Sequence, residues 1–251
     1  MARHLYTLIY SLFLPIIIAR LWWRGRANPG YRQRVAERFG FLPHRPRPGG
    51  LWVHAVSVGE TLAAAQFVKQ FMEQNPNTPV IITSTTPTGS EQVKRIFGER
   101  VFHMYLPYDL PSFINRFIKN IQPGALVIIE TELWPNLLAS CAKHDLPVVL
   151  ANARLSEKSA RGYAKLPALT RPMLHSLSVV AVQNPTDGQR FIELGLPTGR
   201  MKVTGSVKFD VTVPEDCHKQ GVALRGQWGA DRPVLALASS HPTEDEQLLD
   251  I

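Results

Sequence analysis

The chain has 251 residues, 45% of them hydrophobic and 19% charged, a globular balance that can bury a full core. Its two cysteines, Cys141 and Cys217, lie far apart and without metal-ligand spacing, which excludes a disulfide framework and a zinc site. A net charge of +8 favours an anionic partner.

The first predicted element is "LYTLIYSLFLPIIIARLWW", residues 5–23, a nearly charge-free apolar run of about the length a helix needs to span a bilayer. No small-residue cleavage site follows it, which argues against a removed signal peptide. Arg20, Arg24, Arg26, Arg32, Arg34, Arg38, Arg45 and Arg47 come next with one acid, Glu37, among them. The positive-inside rule therefore keeps the body cytoplasmic, and Trp22 and Trp23 suit an interfacial anchor. Two attachments fit: a spanning helix, or a monotopic helix in the membrane surface with Arg20 snorkelling to the headgroups. Pro15 and the marginal length keep the second open. Basic residues beside an apolar segment favour anionic lipid over nucleic acid, and neither an RNA-binding aromatic signature nor zinc-finger spacing occurs.

After the connector "FLPHRPRPGG", residues 41–50, strands are predicted at 51–58, 80–84, 101–106, 126–130, 148–151, 179–183 and 202–204. Helices are predicted between them at 61–74, 90–97, 111–121, 134–144 and 186–194. This alternation predicts an α/β fold with a doubly wound parallel sheet, and ligands of such sheets bind outside the carboxyl ends of the strands. The strand-to-helix corners are the candidate site.

At the first corner Glu60 follows a strand and Gly59, which would let the backbone turn and a ligand approach closely. A first-turn carboxylate gains from the helix dipole and stays ionised; it reads either as a plain helix-start acid or as a proton acceptor. The second corner, "TSTTPTGSE", residues 83–91, offers hydroxyls and a glycine before a helix. It either receives an anion on exposed N–H groups or is a capping box from Thr88 to Glu91. It is not a P-loop, and no G-x-G-x-x-G occurs.

The third corner is "LVIIETELWPN", residues 126–136, where strand alternation would aim Glu130 and Glu132 the same way. Such a pair holds a cation or raises the pKa of one member; equally, the acids cap a helix and Trp134 packs in the core. Beyond it Arg154, Lys158, Arg161 and Lys165 recur at helical spacing, as a solvated face or a grip on lipid phosphates. In "VTGSVKFD", residues 203–210, Lys208 sits where it would neutralise a leaving phosphate, or is an ordinary linker lysine. Residues 208–232 break the rhythm and read as an interdomain connector. A strand candidate at 233–240 then opens a second unit, and a lone strand with half a helix makes no core, so the chain reads as cut short at Ile251.

Together the stretches "HAVSVGETLAA", "TPTGSE", "LPYDLP", "ETELWPN", "ANARLSEKSARGYAKL", "QNPTDGQRFIELG" and "VTGSVKFD" closely resemble the 3-deoxy-D-manno-octulosonic acid (Kdo) transferases of Gram-negative lipopolysaccharide synthesis. The resemblance runs from the apolar segment to the connector. It implies a GT-B glycosyltransferase of two Rossmann-like domains: an anchor at 1–24, an acceptor-binding domain at 25–207, the connector at 208–232 and a truncated donor domain at 233–251. It also implies inverting transfer of Kdo from CMP-Kdo to a lipid A precursor, lipid IVA, without an essential metal, at the cytoplasmic face of the bacterial inner membrane. By position Glu60 matches the family's base, and Glu130 and Lys208 its transition-state stabilisers. Around them the acceptor is expected to meet Ser57, Gly59, Thr86, Thr88, Gly89, Ser90, Glu132, Arg154, Lys158 and Arg161. The grip on CMP belongs to the family's second domain, so the 251-residue form is expected to turn over little by itself. Another GT-B nucleotide-sugar transferase of the envelope, or a non-catalytic lipid-binding domain, are the alternatives.

Overall fold

Seven short apolar runs, β1 (Leu51–His54), β2 (Val80–Ser84), β3 (Phe102–Tyr105), β4 (Ala125–Ile129), β5 (Val148–Ala153), β6 (Val179–Val182) and β7 (Met201–Val203), form one parallel sheet. Its order is β3-β2-β1-β4-β5-β6-β7. The structure is a computed structural model and describes residues 1–207, 215–229, 231–241 and 243–249. The predicted α/β class is what is found. Boundaries at β2 and at the later helix Pro111–Ile121 match the sequence reading, because Pro and Gly punctuate both.

Alternation along the strands sorts the core into two layers. Trp52, Ile81, Leu126 and Ile128 face α4 (Pro111–Ile121), α5 (Pro135–Lys143) and α7 (Pro167–Ser176). Leu51, Val53, Ile82, Val127 and Ile129 face α2 (Val58–Gln74) and α3 (Pro87–Phe97). α6 (Glu157–Ala164) follows β5, and α8 (Pro185–Glu193) follows β6. Burial on both faces is what a parallel sheet with helical crossovers requires.

The apolar N-terminal run forms α1 (Ala2–Arg24), continuous through Pro15. It packs lengthwise on the domain: Arg3, Tyr6, Thr7, Tyr10, Leu14, Ile17 and Leu21 are partly or fully buried, at the three- and four-residue spacing of one helix face. Arg3 Nη1 donates to Asn136 Oδ1 (3.2 Å), and Asn136 Nδ2 donates to Thr7 Oγ1 (3.0 Å) and to the Asp109 carbonyl (2.8 Å). Leu5, Leu8, Leu12, Phe13 and Ile16 point away, with Leu12 69% exposed. At the far end Arg32 donates to the otherwise unpaired Trp22 carbonyl (2.9 Å), which terminates the helix.

The Arg-rich flank does not act as one surface. Arg34 turns inward to grip Glu37 with two bonds of 2.8 Å, and Arg38 is only 4% exposed, whereas Arg20, Arg24, Arg26, Arg32, Arg45 and Arg47 face outward.

Contacts divide the chain into two units, Met1–Asp210 and Val211–Ile251. The second holds α9 (Glu215–Trp228) inside the expected connector, and α10 (Glu244–Leu249). The predicted strand at 233–240 is irregular instead. A strand needs a neighbour for its N–H and C=O groups, and no described segment of that unit supplies one.

Candidate functional site

The sheet order reverses between β1 and β4, and there an open parallel sheet leaves a crevice at the strands' carboxyl ends. Glu60 enters it from the β1–α2 corner, Glu130 and Glu132 from the β4–α5 corner. The three sequence-predicted carboxylates are therefore brought together.

Glu60 is fixed by the backbone around it. Ser57 caps α2, its hydroxyl accepting from the Glu60 N–H (3.4 Å) and donating to Glu60 Oε1 (2.8 Å), while the Val56 N–H donates to Oε2 (2.7 Å). This is a capping box reaching one residue further back, and its signal was the Ser-x-x-Glu spacing. Burial pushes the Glu60 carboxyl up; the Val56 and Ser57 donors pull it back, and the Glu130 charge adds to the rise. Each oxygen keeps a lone pair for another partner. Capping and proton acceptance are thus compatible. Gly59 is helical rather than a turn, and a Cβ there would meet nothing beyond its chain neighbours nearer than 3.9 Å, so neither a turn nor a close approach requires the glycine.

The expected strand alternation at Glu130 and Glu132 fails. β4 ends at Ile129, and Glu130 takes a left-handed conformation (φ 63°) that costs a non-glycine residue about 1–2 kcal/mol. Both carboxylates nevertheless reach Glu60's field. Glu132 is raised by burial first, then by the charge of Glu60, with the Trp134 indole N–H (3.0 Å) pulling the other way. Neither acid caps α5. That role falls to Asp109, which accepts from the N–H groups of Asn136 (3.0 Å) and Leu137 (2.7 Å). Burial pushes the Asp109 carboxyl up to about 6 against those donors. The sequence showed Asp109 only as a loop acid before a proline.

At the β2–α3 corner the cap is Thr86, not Thr88, because Pro87 with its fixed φ starts the helix. Thr86 donates to the Val56 carbonyl (3.1 Å) and accepts from the Gly89 N–H (3.1 Å), tying this corner to Glu60's. Gly89 serves close packing rather than anion approach: a Cβ would lie 2.9 Å from Thr86 Oγ1 and 3.0 Å from the Val56 carbonyl oxygen. Gly89→Ala is expected to cost about 1–3 kcal/mol in thermal denaturation; an unchanged midpoint would mean the corners have room to separate. Thr88 is exposed, and Ser90 is turned away, bonded to His103 Nε2 (2.7 Å) and Arg34 Nη1 (3.0 Å).

On the other flank Arg154 and Lys158 are exposed, and Arg161 pairs with Glu157 on α6. Lys208 lies outside the described residues. Val207 before it donates to Asn152 Oδ1 (3.3 Å), so Asn152, left-handed (φ 54°) near the end of β5, holds the chain leading to Lys208, a contact the sequence did not announce.

Two hollows share Trp134, and Glu132 lines the first of them. One, of about 460 Å³, lies between α1 and the strand ends beside Val56, Thr85 and Glu132. The other, of about 420 Å³, is an apolar groove of Tyr6, Leu133, Tyr163, Leu166 and Met173. A hollow of about 550 Å³ near Arg47, Asn75 and Arg100 contains none of the three acids.

Residues 33–211 match the family model of "3-Deoxy-D-manno-octulosonic-acid transferase (kdotransferase)". A 3-deoxy-D-manno-octulosonic acid transferase of Haemophilus influenzae is 41% identical over 251 residues, covering 99% of this chain and 59% of that protein. One of Bordetella pertussis is 37% identical over 259 residues, covering 100% and 59%. The chain thus spans about 59% of the length of these relatives. Among solved structures, a UDP-GlcNAc 2-epimerase from Neisseria meningitidis bound to UDP-GlcNAc superimposes with a TM-score of 0.48 at 12% identity, covering 69% of this chain and 54% of its own. That likeness is too loose to bear on the site.

Proposed function

Since the chain belongs to the 3-deoxy-D-manno-octulosonic-acid transferase family, we propose that it supplies the acceptor side and the base for inverting transfer of Kdo from CMP-Kdo to lipid IVA. The supporting observation is the convergence of a backbone-fixed Glu60 with Glu130 and Glu132 at the crevice of the sheet. Glu60 accepts the proton of the acceptor hydroxyl as that oxygen bonds to the anomeric carbon of Kdo. The bond from that carbon to the CMP phosphate breaks, and CMP leaves as an anion. One carboxylate suffices for proton transfer, because a leaving phosphate needs charge stabilisation more than a proton. That stabilisation is assigned to Lys208, and Glu130 steadies positive charge on the anomeric carbon. No essential metal is needed in this scheme. The groove of Leu133, Tyr163, Leu166 and Met173 suits an acyl chain of the acceptor.

The test is transfer from CMP-Kdo to lipid IVA by the protein at the full length of its relatives, read by mass spectrometry. A mass gain of one or more Kdo units is expected. Transfer only from a UDP sugar would overturn the donor. Lipid binding with no transfer from either donor would reduce the chain to a lipid-binding domain.

The same reading places the chain on the cytoplasmic face of the inner membrane, attached through α1. The helix is about 35 Å long, yet Arg3 in its first turn and Leu21 near its last both touch the globular domain. It cannot cross a core about 30 Å thick while both ends stay on one domain. α1 therefore lies in the surface, its Leu12 and Phe13 face in lipid. With Ala2→Cys in sealed vesicles carrying the protein outside, a membrane-impermeant thiol reagent should label residue 2 without detergent. Protection until detergent is added would mean a spanning helix.

A further inference from the structure

We infer that the hollow between α1 and the strand ends is a binding site for a phosphate ester, held by the guanidinium of Arg38 with Arg20 and Arg24 at its mouth. The inference rests on this cavity and not on the transferase reading.

Arg38 is 4% exposed and lines the cavity. Its Nη2 donates to the Thr85 carbonyl (3.0 Å) and its guanidinium stacks 4.1 Å from the Tyr105 ring, but its Nε is buried with no partner. Among the described residues no carboxylate is ion-paired with it. Arg34, four residues earlier, shows the contrast, its fork neutralised by Glu37 at 2.8 Å. The Glu37 charge acts on Arg38 without touching it, and a buried guanidinium with no carboxylate in contact is unfavourable until an anion completes it.

The rest of the cavity is arranged for the same ligand. Tyr108 lines it too, and its hydroxyl is buried without a partner behind the cavity wall. Arg20 and Arg24 come from α1, so the site exists only while that helix is docked. Two acids line the cavity as well, and both are committed elsewhere. Asp109 holds the N–H groups of Asn136 and Leu137, and Glu132 accepts from the Trp134 indole (3.0 Å). What remains is the Arg38 guanidinium with two further guanidinium groups beside it, charged donors matched to tetrahedral phosphate oxygens. A volume of about 460 Å³ admits the phosphate together with the sugar or glycerol unit that carries it.

Two sources share this chemistry, a soluble or sugar-borne phosphate and a phospholipid headgroup. Calorimetric titration of the whole chain with glycerol 3-phosphate reads the first, and flotation on phosphatidylglycerol against phosphatidylcholine vesicles reads the second. Arg38→Gln should weaken one or both by about tenfold or more, while Arg45→Gln, which removes the same charge from an exposed site outside the cavity, should not. Loss confined to the titration assigns a soluble or sugar-borne ester, and loss confined to flotation assigns a headgroup. Because Arg38 also bonds Thr85, the exposed pair Arg20→Gln with Arg24→Gln repeats the titration, with circular dichroism to check folding. Binding in both assays that is indifferent to Arg38→Gln and to the pair, or no binding by the parent, would overturn the site.

Discussion

Glu60→Gln is expected to lower the turnover of Kdo transfer about 10²–10⁴-fold, the usual worth of a general base, with a stability loss of only about 1 kcal/mol. The two effects separate because Glu60 does two things with its carboxylate. It accepts from the Val56 N–H at 2.7 Å and from the Ser57 hydroxyl at 2.8 Å. Glutamine keeps one carbonyl oxygen, so one of those donors stays satisfied, the hydroxyl can rotate, and the helix start survives. Only proton acceptance is lost outright. The measurement pairs turnover at saturating substrates with a thermal midpoint. A lower midpoint with turnover unchanged would reduce Glu60 to a helix cap.

If Glu130 steadies the anomeric centre as proposed, Glu130→Gln should slow transfer about tenfold or more, and it should also move the pH profile. Burial, then the Glu130 charge, raises the Glu60 carboxyl above the ordinary carboxylate range. A base works when ionised, so activity rises with pH through that raised pKa, above the usual value of about 4.3. Deleting the neighbouring charge lowers the pKa, and the acid limb shifts to lower pH. For stability the sign is opposite to that of a salt-bridged acid. A raised folded pKa favours the protonated, folded state, so Glu60's contribution is complete at low pH and is lost as pH rises through the folded value. Turnover profiles of parent and variant, normalised to their plateaux, test the coupling. Superimposable acid limbs would mean that Glu130 is too far away or too well screened to act on Glu60.

Local pattern carried the fold. Short β-branched runs, Pro at helix starts and Gly at corners located every strand of the sheet, because these preferences act over a few residues. Glu60, Glu130 and Glu132 were legible for the same reason, each standing at a strand's carboxyl end. What escaped depends on partners far along the chain. Asp109 caps α5 from 27 residues away. Arg38 and Arg34 look like their exposed neighbours in a basic run until Glu37, Thr85 and His103 are placed around them. Glu130's left-handed backbone has no glycine to announce it. The hydrophobic run at 233–240 had the composition of a strand, but composition does not supply a neighbouring strand.

The docking of α1 bears on how a soluble form could be prepared. Trimming the first 24 residues to avoid detergent would do more than detach a tether. It would uncover Asp109 and Asn136, leave Tyr108 and Arg38 open to water, and remove Tyr6 and Ile17 from the walls of the two hollows that share Trp134. A better starting point keeps the helix and replaces only its outward residues, Leu5, Leu8, Leu12, Phe13 and Ile16, with polar side chains. The inner face, and the cavity built on it, would then survive in water.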